Sequence, residues 1–188
     1  MTGEVRGRGA AEARAGVGAS CPPGVAESAA RTSVPLLRDA AAADAPTIYD
    51  LVCDMERTEM PREAFLEILR SQLVDASHHR VLVAERAGKV VGVLHLRMEP
   101  QLHHAAWVAE VMELAVAEGV RSQRVGHALV GRACDVARQA GCVQVEVACN
   151  RLRERAHAFY RREGFRDFHL KFSRPLVGEA PQENALGR

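Results

Sequence analysis

The spacing of apolar residues changes several times between residues 34 and 176, and this order constrains the fold more than any other feature. Apolar residues three or four positions apart predict amphipathic helices, whereas strict alternation predicts half-buried strands. The spacing predicts strands at residues 34–38, 81–85, 90–96, 107–116, 143–147 and 165–172. It predicts helices at residues 48–55, 61–73, 125–140 and 156–163. Strands and helices mixed in this order predict an α/β sandwich with a mixed sheet.

The two ends of the chain lack the apolar residues that a core needs. Residues 1–33 are rich in Ala, Gly, Arg, Ser and Pro, and their only branched aliphatic residues are three valines. Because such a segment cannot bury enough surface to offset its chain entropy, we predict a disordered leader there and a polar tail at residues 177–188. The leader also suggests an organelle transit peptide, although Glu4, Glu12 and Glu27 depart from the acid-poor composition of that class. The folded domain is expected over residues 34–176.

Charge and cysteine content argue against several classes of function. The 188 residues carry 25 Lys and Arg against 24 Asp and Glu, and the net charge of +1 gives no excess that would attract nucleic acid or an anionic membrane. No run approaches the roughly 18 apolar residues of a membrane span. The five cysteines are scattered and include no C-x-x-C pair, which fits neither a disulfide framework nor a zinc site. We therefore expect a reduced, cytoplasmic protein without a nucleic-acid or membrane partner.

The junction between the strand at 107–116 and the helix at 125–140 has the features of an anion site. A strand that leads through a short loop into a helix presents unpaired backbone N–H groups, which bind phosphate together with the helix dipole. Arg121 and Arg124 add positive charge, and Gly126 lets the backbone approach a ligand closely. An ordinary helix start would show the same residues, so the junction alone leaves both interpretations open.

Three motifs, in a fixed order, resemble those of a known superfamily. They are the strand pattern E-x-x-x-L-x-V from Glu110, the loop R-x-x-x-x-G from Arg121, and the block N…A-x-x-F-Y-x-x-x-G-F from Asn150. On these motifs the chain resembles the acetyl-CoA-dependent N-acetyltransferase superfamily (GNAT). The resemblance implies an α/β, GNAT-like, mixed and mostly antiparallel sheet flanked by helices. It also implies acetyl-CoA as cosubstrate, bound in a V-shaped cleft of that sheet.

The resemblance assigns the cofactor to the end of the third long strand and to the two strand-to-helix junctions. The expected cofactor-binding residues are Leu114, Ala115, Val116, Arg121, Ser122, Gln123, Arg124, Val125, Gly126 and Asn150. The usual loop reads R-G-x-G-x-G, and this chain has Ser122 and Arg124 at the first two glycine positions. Arg124 must then point outward, where it could hold a CoA phosphate. A register that starts at Gln123 fits a Q-x-x-G-x-A form but disagrees with the spacing to Val116.

Acetyl transfer to an amine needs a base, a donor for the carbonyl oxygen and an acid for the departing thiolate. Glu110 is the expected base, because a carboxylate within an apolar strand needs a partner or a task. Glu113 is the reserve, because a regular strand would point it to the opposite face and only a bulge would change that. Tyr160, at the family's tyrosine position, is the expected acid, and the donor is expected to be a backbone N–H around Leu114–Val116. Structural roles, as ion pairs or as a core aromatic, remain open for these side chains.

A narrower resemblance links the second half of the domain to aminoalkylphosphonate N-acetyltransferases. It rests on the segment that includes His103 and His104, on the block A-H-x-F-Y-x-R-E-G-F, and on His169. It implies a small amine acceptor, with these histidines and Arg97 as candidate substrate contacts. The same histidines suit a divalent metal, and the resemblance implies some metal stimulation and, by family habit alone, a homodimer. Another acceptor (an aminoglycoside, a polyamine or a protein N-terminus) and a non-catalytic CoA-binding domain remain as alternatives.

Overall fold

The computed structural model describes residues 34–176, so the predicted leader and tail lie outside the described residues. Within this range the chain alternates between strands and helices in nearly the predicted order. The elements are β1 (Leu36–Asp39), α1 (Ala45–Glu56), α2 (Arg62–Val74), β2 (His79–Arg86), β3 (Lys89–Gln101), β4 (Ala106–Val116), α3 (Val125–Gln139), β5 (Gln144–Val147) and α4 (Glu154–Arg162). No helix in residues 34–176 combines the length and the apolar character that crossing a bilayer requires.

The five strands form one mixed, open sheet in the order β1-β2-β3-β4-β5. All neighbouring pairs are antiparallel except β4 and β5, which run parallel and are joined through α3. Ala87 and Gly88 join β2 to β3 with φ angles of 48° and 74°, which suits the tight hairpin turn that matches the twist of the strands. The mixed, mostly antiparallel sheet predicted from the sequence is therefore confirmed.

Helices cover both faces of the sheet, and alternation along the strands decides which side chains meet which helix. The even-numbered side chains of β3, such as Leu94 and Leu96, pack with Leu129 of α3 in a cluster from which solvent is excluded. The odd-numbered Val93 packs on the other face with α1 and α2, for example against Ile48. The sheet thus has an α3 face and a second face, called here the α1/α2 face.

The strand predicted at residues 165–172 does not form, which corrects the sequence analysis. Phe168, Leu170 and Phe172 alternate as strand residues do, yet they are 72%, 83% and 88% exposed and belong to no strand. An apolar row stabilises a strand only where it can be buried, and no surface within residues 34–176 covers this one. Instead, the intervening Lys171 reaches β4 through an ion pair with Glu110. The segment is therefore tied to the sheet by a side chain rather than by a backbone ladder.

Candidate active site

An irregularity in the pairing of β3 with β4 brings two carboxylates to the same face. Glu110 lies opposite Arg97 and Glu113 lies opposite His95, while the register shifts between His95 and Leu96, which leaves one extra residue in β4. Such a bulge reverses the facing of the residues that follow it. Because Arg97 and His95 are two positions apart on β3, Glu110 and Glu113 both face the α1/α2 side. The sequence analysis named this condition for Glu113, and the structure meets it.

Glu110 is held by two cations. One carboxylate oxygen lies 2.7 Å from Nη2 of Arg97, and the other lies 2.9 Å from Nζ of Lys171. The Glu110 side chain is only 16% exposed. Both oxygens therefore already accept charge-assisted hydrogen bonds, which are stronger than neutral ones.

Glu113 has a different partner, because its carboxylate meets a histidine instead of a permanent cation. Its Oε2 lies 2.6 Å from Nδ1 of His95, and the His95 side chain is 7% exposed while that of Glu113 is 38% exposed. Nε2 of His95 lies 2.9 Å from Nδ1 of His79. Burial lowers the pKa of His79 below its ordinary value. The carboxylate thus reaches solvent while a chain of two imidazoles supports it from inside.

The sequence analysis missed His79 and His95. The alternation of β3 could have marked His95 as facing the same side as Arg97, but the sequence offers no sign that His79 pairs with it across the hairpin.

A cavity of about 180 Å³ lies between α1, α2 and the sheet, and it ends on the side chains of His95 and Glu113. The other lining residues are almost all apolar: Ile48, Val52, Met60, Phe65, Ile68, Leu69, Gln72, Val81 and Val93. A concave, mostly apolar space with a few convergent polar groups is typical of a small-molecule site. Glu113 and His95 supply those polar groups here.

The sheet opens beside this region, because β5 pairs with only part of β4. The parallel ladder joins Val108–Val111 to Gln144–Val147 and does not continue to the end of β4. The amide of Ala117 donates to the carbonyl of Val91, so antiparallel alternation turns the N–H groups of Leu114 and Val116 away from β3. These amides therefore face the opening that β5 leaves, where the sequence analysis expected a donor for the acetyl oxygen.

The loop between β4 and α3 keeps a glycine-type backbone without the glycines. Ser122 and Arg124 have φ angles of 63° and 64°, in the left-handed region that ordinary residues disfavour. Arg124 is exposed, as its position requires. The loop is anchored by Arg86, which donates to the carbonyl of Gln123 at 2.9 Å, and by Nε of Arg121, which donates to the carbonyl of Val116 at 3.1 Å.

Backbone donors are available where this loop enters α3. No side chain caps the helix, and within residues 34–176 the amides of Val125 and Gly126 donate to no acceptor. The absence of a side chain at Gly126 also matters for packing, because a Cβ there would lie 3.3 Å from the ring of Phe159. Gly126 therefore allows α3 to approach α4 closely.

The second junction supplies Asn150 and Tyr160. Oδ1 of Asn150 accepts the amide of Leu152 at 2.9 Å, in a turn that precedes α4. Tyr160 packs edge-on against Phe159 and Phe165, with ring centroids 5.2 Å and 5.5 Å away. Burial raises the pKa of Tyr160 to about 12, so the phenol keeps its proton at neutral pH.

The candidate substrate histidines are not gathered around one point. The rings of His103 and His104 lie 4.2 Å apart, and His104 contacts the side-chain amide of Gln144 at 3.2 Å. Among the described residues, the ring of His169 has one aromatic neighbour, Phe168, with centroids 5.8 Å apart. Residues 34–176 contain no group of three or more His, Cys, Asp or Glu side chains that could hold a metal ion. The metal suggested by the sequence therefore has no support in the described part of the chain.

Comparison with known proteins agrees with this geometry. Residues 45–165 match the acetyltransferase (GNAT) family. The chain is 39% identical over 140 residues to an aminoalkylphosphonate N-acetyltransferase of Salmonella typhimurium, which covers 74% of this chain and 90% of that relative.

Solved structures share the fold at lower sequence identity. A transcriptional regulator from Bacillus halodurans has a TM-score of 0.70 at 20% identity and covers 76% of this chain and 100% of its own. Glucosamine-6-phosphate N-acetyltransferase from Arabidopsis thaliana has a TM-score of 0.66 at 17% identity, with 77% and 100% covered. With the family match over most of the described residues, the bulged β4, the open sheet and the helix-start amides identify this chain as a member of the GNAT family of acetyl-CoA-dependent acetyltransferases.

Proposed function

We propose that the protein transfers the acetyl group of acetyl-CoA directly to a small primary amine, with both substrates bound at once. The observation that carries this proposal is the bulge in β4. It brings Glu113 and Glu110 to the α1/α2 face, next to the N–H groups of Leu114 and Val116, which point away from β3 where β5 no longer pairs with β4. The amides at the start of α3 would hold the pyrophosphate of CoA, with Arg121 and Arg124 adding charge.

In this proposal Glu113 takes the proton of the ammonium, ahead of Glu110, which the sequence alone favours. One oxygen of Glu113 has no partner among the described residues, whereas both oxygens of Glu110 accept from cations. The neutral amine then attacks the thioester carbon, and the N–H groups of Leu114 and Val116 stabilise the oxyanion. Tyr160 gives its proton to the departing sulfur of CoA and recovers one from the new amide nitrogen.

We further propose an aminoalkylphosphonate as the acceptor, following the relative of that name. Arg97 and Lys171 already converge on one carboxylate, so this part of the site accommodates an anionic group. The Arg97 side chain is 35% exposed, so its guanidinium can contact a substrate oxygen in addition to Glu110. His103, His104 and His169 remain proposed contacts. We propose a cytoplasmic location, consistent with the free thiols of Cys53, Cys134, Cys142 and Cys149.

The test is thiol release from acetyl-CoA by the full chain, with 2-aminoethylphosphonate, ethylamine, spermidine and an aminoglycoside compared. We expect the phosphonate to be preferred over ethylamine, and Arg97→Gln to remove that preference by raising KM for the phosphonate. Glu113→Gln should lower kcat by about 10²–10⁴, the usual contribution of a general base. Tyr160→Phe should lower kcat less.

Glu110→Gln is the matched control for the base, since it makes the same change on the same face. A larger loss of kcat in Glu110→Gln than in Glu113→Gln would reverse the two assignments. Calorimetric binding of CoA without turnover of any amine would instead indicate the non-catalytic CoA-binding domain.

A further inference from the structure

We propose that His95 and His79 are positioning residues: they form a hydrogen-bonded chain that orients the Glu113 carboxylate for proton abstraction. This inference rests on the proposed function, because it concerns the same proton acceptor. The chain crosses three strands, from Glu113 on β4 through His95 on β3 to His79 on β2.

The distances define a continuous chain. Glu113 Oε2 and His95 Nδ1 are 2.6 Å apart, and His95 Nε2 and His79 Nδ1 are 2.9 Å apart, with the two rings tilted by 32°. His95 is 5% exposed, so its two ring nitrogens lie largely out of solvent. Each ring nitrogen of His95 therefore has one protein partner.

These partners determine where the protons lie. An ionised carboxylate can only accept, so Nδ1 of His95 carries the proton that points to Glu113. Nε2 of a neutral His95 then accepts, and Nδ1 of His79 must donate to it. A buried imidazole donor on one oxygen fixes the carboxylate and leaves the other oxygen for the amine.

One proton moves from the substrate ammonium to Glu113 and then to water in each turnover. An N–H bond of the substrate ammonium breaks and an O–H bond forms on Glu113, which gives a neutral amine and a carboxylic acid. After the product leaves, Glu113 gives this proton to water, and His95 keeps its Nδ1 proton throughout. Glu113 must therefore be ionised again before each turnover.

A proton added to His79 would work against this cycle. It would add positive charge at the end of the chain, stabilise the carboxylate and weaken it as a base. The other charged or titratable groups that act on His79 are Asp75, His78 and Arg97, and of these only Asp75 favours its protonation. The remaining surroundings of His95 and Glu113, on α1 and α2, are apolar except for Gln72.

Replacement by apolar residues should reduce turnover, and replacement by asparagine should restore most of it. With 2-aminoethylphosphonate as acceptor, we expect His95→Leu to lower kcat by about 10- to 100-fold, part of the 10²–10⁴ that a base contributes. His79→Val should lower it about tenfold, with KM for acetyl-CoA unchanged. The side-chain amide of asparagine can donate from near the Nδ1 position. His95→Asn and His79→Asn should therefore recover to within about threefold of the parent.

The pH dependence of kcat distinguishes a positioning role of His79 from a purely structural one. Because asparagine cannot be protonated, His79→Asn should move the acid limb of kcat to lower pH. The matched control is His127→Asn, which removes an exposed histidine that pairs with Glu163 on the opposite side of the sheet. It should leave the acid limb in place. An acid limb that stays the same in His79→Asn would overturn the proposal.

A measurement without turnover keeps this inference separate from the proposed function. Long-range ¹H–¹⁵N NMR spectra of the imidazoles in the full-length protein should show His95 and His79 protonated at Nδ1 at neutral pH. In Glu113→Gln the Nδ1 signal of His95 should shift, and in His127→Asn it should not. A protein that turns over no amine but shows these tautomers refutes the function alone. Protonation of neutral His95 at Nε2 refutes the positioning chain, whatever the activity.

Discussion

The two faces of the sheet are built from the same strands but differ in how closely they are packed. On the α3 face, Leu94, Leu96 and Leu129 are fully buried, and even an added Cβ at Gly92 would lie only 3.0 Å from Val125. On the α1/α2 face the packing leaves a cavity of about 180 Å³ that ends at His95 and Glu113. The α3 face therefore supplies rigidity, and the α1/α2 face supplies space and polar groups.

One inserted residue in β4 allows the same strand to serve the packed α3 face and the polar α1/α2 face. Before the bulge, Ala109 and Val111 face α3 and Glu110 faces α1/α2; after it, Leu114 faces α3 and Glu113 faces α1/α2. Without the bulge, one carboxylate would enter the apolar cluster around α3. Burying an unpaired charge there would be far more costly than the lost ladder contacts.

The largest expected effects come from removing a leucine side chain on either face. Leu129→Ala should lower the free energy of unfolding by about 3–5 kcal/mol, because its tightly packed surroundings cannot collapse into the space. Leu69→Ala should cost about 2–3 kcal/mol, since Leu69 already borders the cavity and has fewer contacts to lose. Urea unfolding followed by circular dichroism measures both. Equal losses would mean that the cavity closes in solution.

Adding atoms should give smaller effects, and these should have opposite signs on the two faces. Gly92→Ala should destabilise by about 1–3 kcal/mol, because its Cβ would crowd Val125 and Leu129 at 3.0 Å and 3.1 Å. Val52→Ile adds one methyl group beside the cavity and should stabilise by up to about 1 kcal/mol. Thermal unfolding of the two variants beside the parent tests this. A destabilised Val52→Ile would contradict the open α1/α2 face.

The smallest expected effect comes from the loop between β4 and α3. Ser122→Gly removes a left-handed strain of about 1–2 kcal/mol and adds about 0.4–1 kcal/mol of unfolded-chain entropy, so a net gain of about 0.5–1 kcal/mol is expected. The matched control is Ala87→Gly, also at positive φ but in the hairpin between β2 and β3. Both should raise the melting temperature, and only Ser122→Gly should change CoA affinity by calorimetry. A changed affinity in Ala87→Gly would mean that the loop does not act locally.

Much of the fold could be predicted because it depends on local patterns. The apolar spacing predicted the helices and five strands, and the loop motif marked Ser122 and Arg124, which do have the backbone of the glycines they replace. Residues 165–172 show the limit of this reasoning. Alternation at Phe168 and Leu170 indicates a preference for strand structure, but a strand also needs a neighbouring strand and a surface that buries its apolar side chains.

The sequence alone therefore predicts the order of the elements, the family and the positions of the two carboxylates along β4. The folded structure was needed to show that Glu110 and Glu113 share a face. It also showed that Arg97 and Lys171 pair with Glu110, and that His95, in contact with His79, pairs with Glu113. The physical reason is that a periodic pattern is a property of neighbouring residues, whereas register depends on which strands pair. A shift of one residue in pairing reverses the facing of every side chain beyond it.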